Sequence, residues 1–85
     1  MYSKNKKAIT KDERDHIGRV KSLPCSVCGK PGPSDAHEPI QGQWWIAIAL
    51  CRECHKDLRG PMWLIHKMNE WRALNVTIRR LMKGH

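Results

Sequence analysis

The stretches Cys25-Ser26-Val27-Cys28 and Cys51-Arg52-Glu53-Cys54 contain all four cysteines of this 85-residue chain. Each stretch has Cys-x-x-Cys spacing, and residues 29–50 separate them. Two such pairs can supply the four thiolates of a tetrahedral zinc site whose coordination shell is closed. An ion held in this way performs no chemistry of its own. The spacing therefore predicts one structural Zn²⁺, bound by Cys25, Cys28, Cys51 and Cys54.

The size of the chain gives this metal a structural purpose. A domain of 85 residues is near the length at which a hydrophobic core alone gives marginal stability. Four Trp, one Tyr and no Phe leave little large apolar surface to bury, and a bound metal is a common way to stabilise such a domain. We expect a flexible basic arm over residues 1–9 and a single zinc-stabilised domain over residues 10–85.

Disulfide bonds are the alternative use of four cysteines in a small chain. They suit exported proteins, but residues 1–10 are polar and lysine-rich and no apolar segment follows them. The apolar stretch at 43–50 is too short to span a membrane. We therefore expect a cytoplasmic protein without a membrane partner, in which paired cysteines bind metal.

The net charge indicates the kind of partner. Sixteen Lys and Arg against eight Asp and Glu give a formal charge of +8. Four thiolates and one Zn²⁺ together add two negative charges, so the zinc-loaded chain carries about +6. A polyanion such as DNA is the natural partner, and a charged surface that only maintains solubility is the alternative.

Local patterns predict the elements that precede the second cysteine pair. Thr10 and Glu13 form a capping box that starts a helix ending near Lys21, with His16 as an ordinary surface or packing residue. Residues 35–38 should be extended, and residues 44–50 are the most convincing strand. The two extended segments can pair as a β-hairpin across the loop at residues 41–43. In an alternating strand, at least one of Trp44 and Trp45 should be core; base stacking is the alternative.

The C-terminal third is expected to be helical. Residues 51–58 are compatible with a short helix that ends at Gly60 and Pro61. A longer helix should begin at Met62, break near Asn75 and resume at Thr77 for a last turn that reaches Met82. The apolar residues on this helix have helical spacing and are expected to form core; they are Leu64, Ile65, Met68, Trp71 and Leu74.

A second group of residues suggests chemistry. His37 lies between the cysteine pairs and His55 follows Cys54 directly, so one zinc that joins the pairs also brings the two histidines close. Asp35 and Glu38 add carboxylates nearby. Such a mixed and incomplete ligand shell leaves room for water and a phosphate oxygen around a divalent ion. Taken singly, each histidine would be interpreted as a surface side chain.

These residues resemble a known family. Cys25-Ser-Val-Cys28-Gly29, Pro33-Ser-Asp-Ala-His-Glu38 and Leu50-Cys-Arg-Glu-Cys-His-Lys-Asp-Leu58 are similar to segments of the small HNH-like, ββα-metal (His-Me finger) endonucleases of phages and prophages. The likeness covers about two thirds of the chain. It implies a small α+β fold in which a β-hairpin and a short helix form a ββα-metal core, with one helix before it and one after it.

The resemblance also implies an activity, which is hydrolysis of DNA phosphodiester bonds with Mg²⁺, Mn²⁺ or a similar ion and no organic cofactor. His55 matches the helix ligand of that ion, and Asp35 is a further candidate. The strand position is ambiguous. Either His37 is the general base, or His37 binds the metal and Glu38 is the base. We favour the second alignment, although a carboxylate titrates about two units below imidazole and is the weaker base at pH 7.

This chain departs from the family pattern in two places. Arg59 stands four residues after His55, where a further histidine often follows, and the hairpin loop has no clear Asn, so that Gln41 or Gln43 would have to orient His37. Positive side chains that recur along the short helix are expected to face DNA phosphates; they are Arg52, Lys56 and Arg59. The leading hypothesis is an HNH-like endonuclease. The alternative is a non-catalytic, zinc-stabilised nucleic-acid-binding module.

Overall fold

The structure, a computed structural model, describes residues 9–83 and contains four helices and two strands in that part of the chain. The predicted arm therefore lies outside the described residues, apart from Ile9. In chain order the elements are α1 (Lys11–Lys21), β1 (Asp35–His37), β2 (Ile48–Leu50), α2 (Arg52–Lys56), α3 (Pro61–Ile65) and α4 (Glu70–Met82). No helix among residues 9–83 is long and apolar enough to cross a membrane. The small α+β fold is confirmed.

Helix α1 begins at the predicted capping box. Thr10 Oγ1 accepts a hydrogen bond from the Glu13 amide at 3.1 Å, and Glu13 Oε1 accepts one from the Thr10 amide at 2.9 Å. The chain after α1 is attached to the segment that leads into β1, because the Ser34 amide donates to the Lys21 carbonyl at 2.7 Å. The hydroxyl of Ser34 donates to the Leu23 carbonyl at 2.6 Å. These bonds place β1 beside α1.

Strands β1 and β2 form the predicted antiparallel pair, with Asp35 opposite Leu50 and His37 opposite Ile48. The strand expected at 44–50 is shorter than predicted, since residues 44–47 form a turn and irregular backbone before β2. Pro39 follows β1 closely and cannot donate a ladder hydrogen bond, which limits the length of the pair. Neither neighbouring tryptophan enters the core, because Trp44 is half-buried and Trp45 is 52 % exposed.

The two faces of β2 contact different parts of the core. Ile48 and Leu50 pack with the cysteines and Trp63, whereas Ala49 packs with Val20 and Leu23 of the α1 region. This division follows from the alternation of side chains along a strand. Directly opposed residues share a face, so Asp35 and His37 lie on the same side as Leu50 and Ile48, which is the side of the cysteines.

The C-terminal helices differ from the prediction. The break lies at residues 66–69, where Lys67 has a φ of 52° and Asn69 caps α4, whereas Asn75 and Thr77 lie inside α4. This break changes the helical phase, so the predicted apolar stripe is not continuous. Trp71, Leu64 and Ile65 are largely exposed, with Trp71 at 75 %. Of the five residues predicted to form the stripe, only Met68 and Leu74 pack against the core. The core residues of α3 and α4 are Trp63, Ala73 and Thr77.

Candidate functional site

The four cysteines meet in one cluster. Their Sγ atoms all lie within 4.8 Å of one another, and those of Cys28 and Cys51 are 3.7 Å apart. Zn–S bonds of about 2.3 Å in a tetrahedron place sulfur atoms about 3.8 Å apart, which agrees with this spacing. All four thiols are free. The cluster is therefore compatible with a structural metal such as zinc.

Local backbone geometry prepares the cluster. Gly29, with a φ of 79°, closes the turn after the first pair, and its amide donates to the Cys25 carbonyl at 3.0 Å. Cys51 is the N-cap of α2, and its Sγ accepts a hydrogen bond from the Cys54 amide at 3.5 Å. The Ser26 amide donates to the Ala49 carbonyl at 2.8 Å, which attaches the first pair to β2.

The thiols differ in acidity. Burial disfavours the Cys25 thiolate, but hydrogen bonds from surrounding backbone amides, chiefly those of Cys51 and Cys28, bring the pKa of Cys25 down to about 7. Burial raises the pKa of Cys28 and that of Cys54. Because a metal binds thiolates, Zn²⁺ must displace protons from Cys28 and Cys54 when it enters this site.

His37 and His55 come together beside the cysteine cluster. His37 is on the β1 face directed toward α2, and His55 follows Cys54 within α2. Their ring centroids are 5.1 Å apart, with an interplanar angle of 60°. The approach predicted from the cysteine spacing is therefore present in the fold.

Each imidazole is hydrogen-bonded to a carboxylate. Asp35 Oδ2 lies 3.1 Å from Nδ1 of His55, and Glu70 Oε2 lies 2.7 Å from Nε2 of His37. An ionised carboxylate can only accept, so in the neutral tautomer that fits these bonds the two ring nitrogens donate, and Nε2 of His55 and Nδ1 of His37 keep lone pairs. The partner of His37 Nε2 is thus Glu70 and not a glutamine of the hairpin loop.

Sequence reasoning missed Glu70. The signal that a helix begins there was present, since Asn69 is an N-cap and an acidic residue follows it in the first turn. A predicted helix that ran through this position hid the signal. Contact with His37 depends on the packing of α4 against β2, which no local pattern contains. Arg59 also approaches Glu70, with Nη2 3.6 Å from Oε1.

The candidate ligands of a catalytic ion are not gathered around one point as the cysteines are. Among residues 9–83, the cysteines form the one group of three or more potential ligands gathered within 4.8 Å. The carboxylates of Asp35 and Glu70 are paired with the imidazoles. Glu38 lies one residue beyond the strand, and its Oε1 accepts a hydrogen bond from the Gly42 amide at 2.9 Å, inside the hairpin loop.

The predicted phosphate-facing residues are all exposed. Arg52 and Lys56 line an open depression together with Asp35 and His55. Arg59 differs from the prediction because it lies beyond the end of α2, in a turn where its φ is 63°. Two of the three cations therefore flank the imidazole pair from α2, and the third approaches it through Glu70.

No protein-family model, curated protein or solved structure matches this chain. The choice of a function therefore depends on the sequence patterns and on the geometry of the cysteine cluster and the imidazole pair.

Proposed function

We propose that the protein is a metal-dependent DNA endonuclease of the HNH-like type, in which β1, β2 and α2 form the ββα-metal core. One observation carries this proposal. A strand histidine and a helix histidine, joined through a four-cysteine cluster, lie 5.1 Å apart between their ring centroids, and each is oriented by a carboxylate. Cationic side chains on α2 border the same pair.

The roles of the residues follow from their hydrogen bonds. His55 offers Nε2 to a divalent cation when its Nδ1–H donates to Asp35. Glu70 orients His37 in the same way. Carboxylate and water oxygens suit Mn²⁺ or Mg²⁺, and the imidazole nitrogens favour a transition-metal ion, so that Mn²⁺ fits this mixed set better than Mg²⁺. When bound, this ion would stabilise the charge that develops on the phosphate and the leaving oxygen.

Hydrolysis also needs a base. His37 or Glu38 removes a proton from water, the water oxygen attacks phosphorus, and the P–O bond to the leaving oxygen breaks. His37 faces His55 directly. Glu38 is adjacent in sequence, and its Oε1 accepts the Gly42 amide of the hairpin loop, so as the base it would serve both the loop and the water.

The test is cleavage of supercoiled plasmid. The zinc-loaded protein should nick plasmid DNA when Mn²⁺ or Mg²⁺ is added, and His55→Ala should lower the rate by at least about 100-fold, because a ligand of the ion is lost. Glu53→Gln is the matched control, since Glu53 lies on the same helix and is 81 % exposed, and within residues 9–83 its only ion pair is with Lys30 at 3.8 Å. Intact plasmid with every metal tested, from folded wild-type protein, would refute the enzymatic proposal.

One observation favours a second candidate function. Since the imidazoles and carboxylates are paired with each other instead of converging as a group, the same surface suits a zinc-stabilised module that binds DNA without cleaving it. This module would bind DNA in a salt-sensitive manner. Its affinity would survive His37→Ala and His55→Ala, and no nicked plasmid would form.

A further inference from the structure

Helix α4 and the connection before it enclose an open groove that neither the cysteines nor the imidazole pair uses. We call it the α4 groove, and its polar and aromatic residues are His66, Lys67, Trp71, Arg72, Asn75 and Arg79. Met68 and Val76 are its half-buried apolar residues. Trp71, Asn75 and Arg79 are spaced four residues apart, so they form one row of about 12 Å along the helix.

The charge of the groove is entirely positive. Lys67, Arg72 and Arg79 line it, and no acidic side chain of residues 9–83 does. Arg72 is fixed across the connection, because its Nη1 donates to the Lys67 carbonyl at 2.9 Å, which uses one of its five N–H donors. The nearest acidic residue in sequence, Glu70, is already bonded to His37 and approached by Arg59. An anionic ligand complements this lining.

Trp71 adds an aromatic surface to these cations. Its side chain is 75 % exposed, although tryptophan is the residue that gains most from burial. A large flat ring among arginines is the combination that binds unpaired bases, because every base has a π-face and the arginines contact the backbone. Bases in a duplex are already stacked on each other, so a ring on a helix surface has no free face to cover.

We propose that the α4 groove binds a single-stranded segment of nucleic acid, with Trp71 stacked on an unpaired base. The segment would continue past the imidazole pair, because Glu70, the residue before Trp71, contacts His37. This inference rests on the proposed function, since it names the form of DNA that the same site acts on. DNA with single-stranded stretches is then the preferred substrate over continuous duplex.

The test measures binding without cleavage. Fluorescence anisotropy would follow a labelled dT oligomer of about 12 nucleotides, and a duplex of equal length, with zinc-loaded protein and no added divalent ion. Trp71→Ala should weaken dT binding by about tenfold but duplex binding by less than about twofold, and Trp71→Phe should retain the affinity within about threefold. Arg79→Gln should make the affinity for dT less dependent on salt, by the amount expected when about one phosphate contact is lost.

The matched control is Leu64→Ala, because Leu64 is 74 % exposed and does not line the groove. This variant should bind dT like the wild type, and equal zinc content should show that each variant is folded. An unchanged affinity of Trp71→Ala for dT would overturn the proposal, as would an equal loss with duplex. So would displacement of dT by a glutamate-rich peptide at lower concentration, or self-association that Trp71→Ala abolishes.

The two proposals fail separately. If plasmid stays intact while dT binding depends on Trp71, the proposed role of the α4 groove is correct and the proposed nuclease activity is wrong. If plasmid is nicked in a His55-dependent manner while Trp71→Ala binds dT normally, the proposed nuclease activity is correct and the proposed role of the α4 groove is wrong.

Discussion

Neighbouring residues of β1 have different surroundings because strand side chains alternate between faces. Asp35 contacts His55 of α2 and His37 contacts Glu70 at the start of α4, whereas Ala36 packs against the α1 side. Glu38 follows the strand, and its carboxylate accepts the Gly42 amide. The general base of the proposed reaction is therefore either a residue that faces the site or one that also supports a loop.

Substitution of Glu38 separates these possibilities. If Glu38 is the base, Glu38→His should raise the rate of plasmid cleavage, because free imidazole titrates about two units above a free carboxyl group. Glu38→Gln keeps an oxygen that can accept the Gly42 amide but cannot take up a proton, so it should lower the rate by about 100-fold. An unchanged rate in Glu38→Gln, with normal zinc content, would instead assign the base to His37.

His16 is a buried histidine on α1. Its ring contacts Trp45 with centroids 4.9 Å apart and an interplanar angle of 41°, and its Nε2 has no hydrogen-bond partner among residues 9–83. Burial lowers the pKa of His16, although a hydrogen bond with the backbone of Trp45 opposes this shift. The native protein therefore holds His16 neutral at pH values where the unfolded chain protonates it.

This difference makes the stability depend on pH. Above pH 6.5 the residue is neutral in both states, and as the pH falls below 6.5 the unfolded state gains a proton first, so the free energy of unfolding decreases. The loss approaches about 1.4 kcal/mol for each pH unit between the two pKa values. Urea denaturation would measure the free energy of unfolding at pH 5 and at pH 7.5. The difference between these two values should be smaller for His16→Phe than for the wild type. An equal difference in both proteins would contradict this role.

Thr77 connects three elements inside the molecule. Its Oγ1 lies 2.7 Å from Ser26 Oγ, accepts the Ala49 amide at 3.2 Å and donates to the Ala73 carbonyl at 3.0 Å. One buried hydroxyl of α4 thus joins the first cysteine pair to β2. The predicted role of Thr77 as an N-cap was wrong, and this network explains why a polar residue occupies a fully buried position of the helix.

Removal of this hydroxyl should weaken the fold. Thr77→Val has nearly the same shape but leaves the Ala49 amide and the Ser26 hydroxyl without this partner, so we expect a loss of about 1–3 kcal/mol in the free energy of unfolding. Urea denaturation at a fixed zinc concentration would measure it. Thr77→Ser keeps the hydroxyl and should lose less than Thr77→Val. Equal losses would show that the methyl group matters and the hydrogen bonds do not.

At the scale of the whole molecule, the cysteine cluster connects the segments that carry both the core and the imidazole pair. Cys25, Cys51 and Cys54 are themselves core residues, and Trp63 Nε1 donates to the Cys54 carbonyl at 3.0 Å. A metal ion bound at this point would hold the first turn, β2, α2 and α3 together. Without the ion, Cys28 and Cys54 would be protonated thiols, because burial raises the pKa of each. No attraction to a metal would then hold the four sulfur atoms together.

Removal of zinc should therefore unfold the protein. We expect elemental analysis to give one zinc per chain, and a chelator to abolish the near-ultraviolet circular dichroism of the tryptophans, because the metal contributes directly to the free energy of folding. Restoring Zn²⁺ under reducing conditions should recover the signal. A folded, metal-free protein with disulfides between the cysteine pairs would contradict both the metal site and its structural role.

The sequence by itself determined the features that depend on short spacings. Such features are the two Cys-x-x-Cys pairs, the capping box at Thr10 and helix α1. They depend on residues a few positions apart, which chain connectivity keeps close to each other in any fold. The approach of His37 to His55 was also predictable, because each histidine is close in sequence to an element that the cysteines bring together. The cysteine cluster thus agrees with the metal site that the spacing of the cysteines predicts.

Tertiary packing decided the rest. Trp63 of α3 is buried beside the cysteines, and the break at residues 66–69 changes the helical phase of α4 relative to α3, so that Trp71 faces outward. The same packing placed Glu70 against His37, although 33 positions separate them in the chain. Helical periodicity shows that a helix has an apolar side, but which residues are buried depends on where the helix begins and what it packs against.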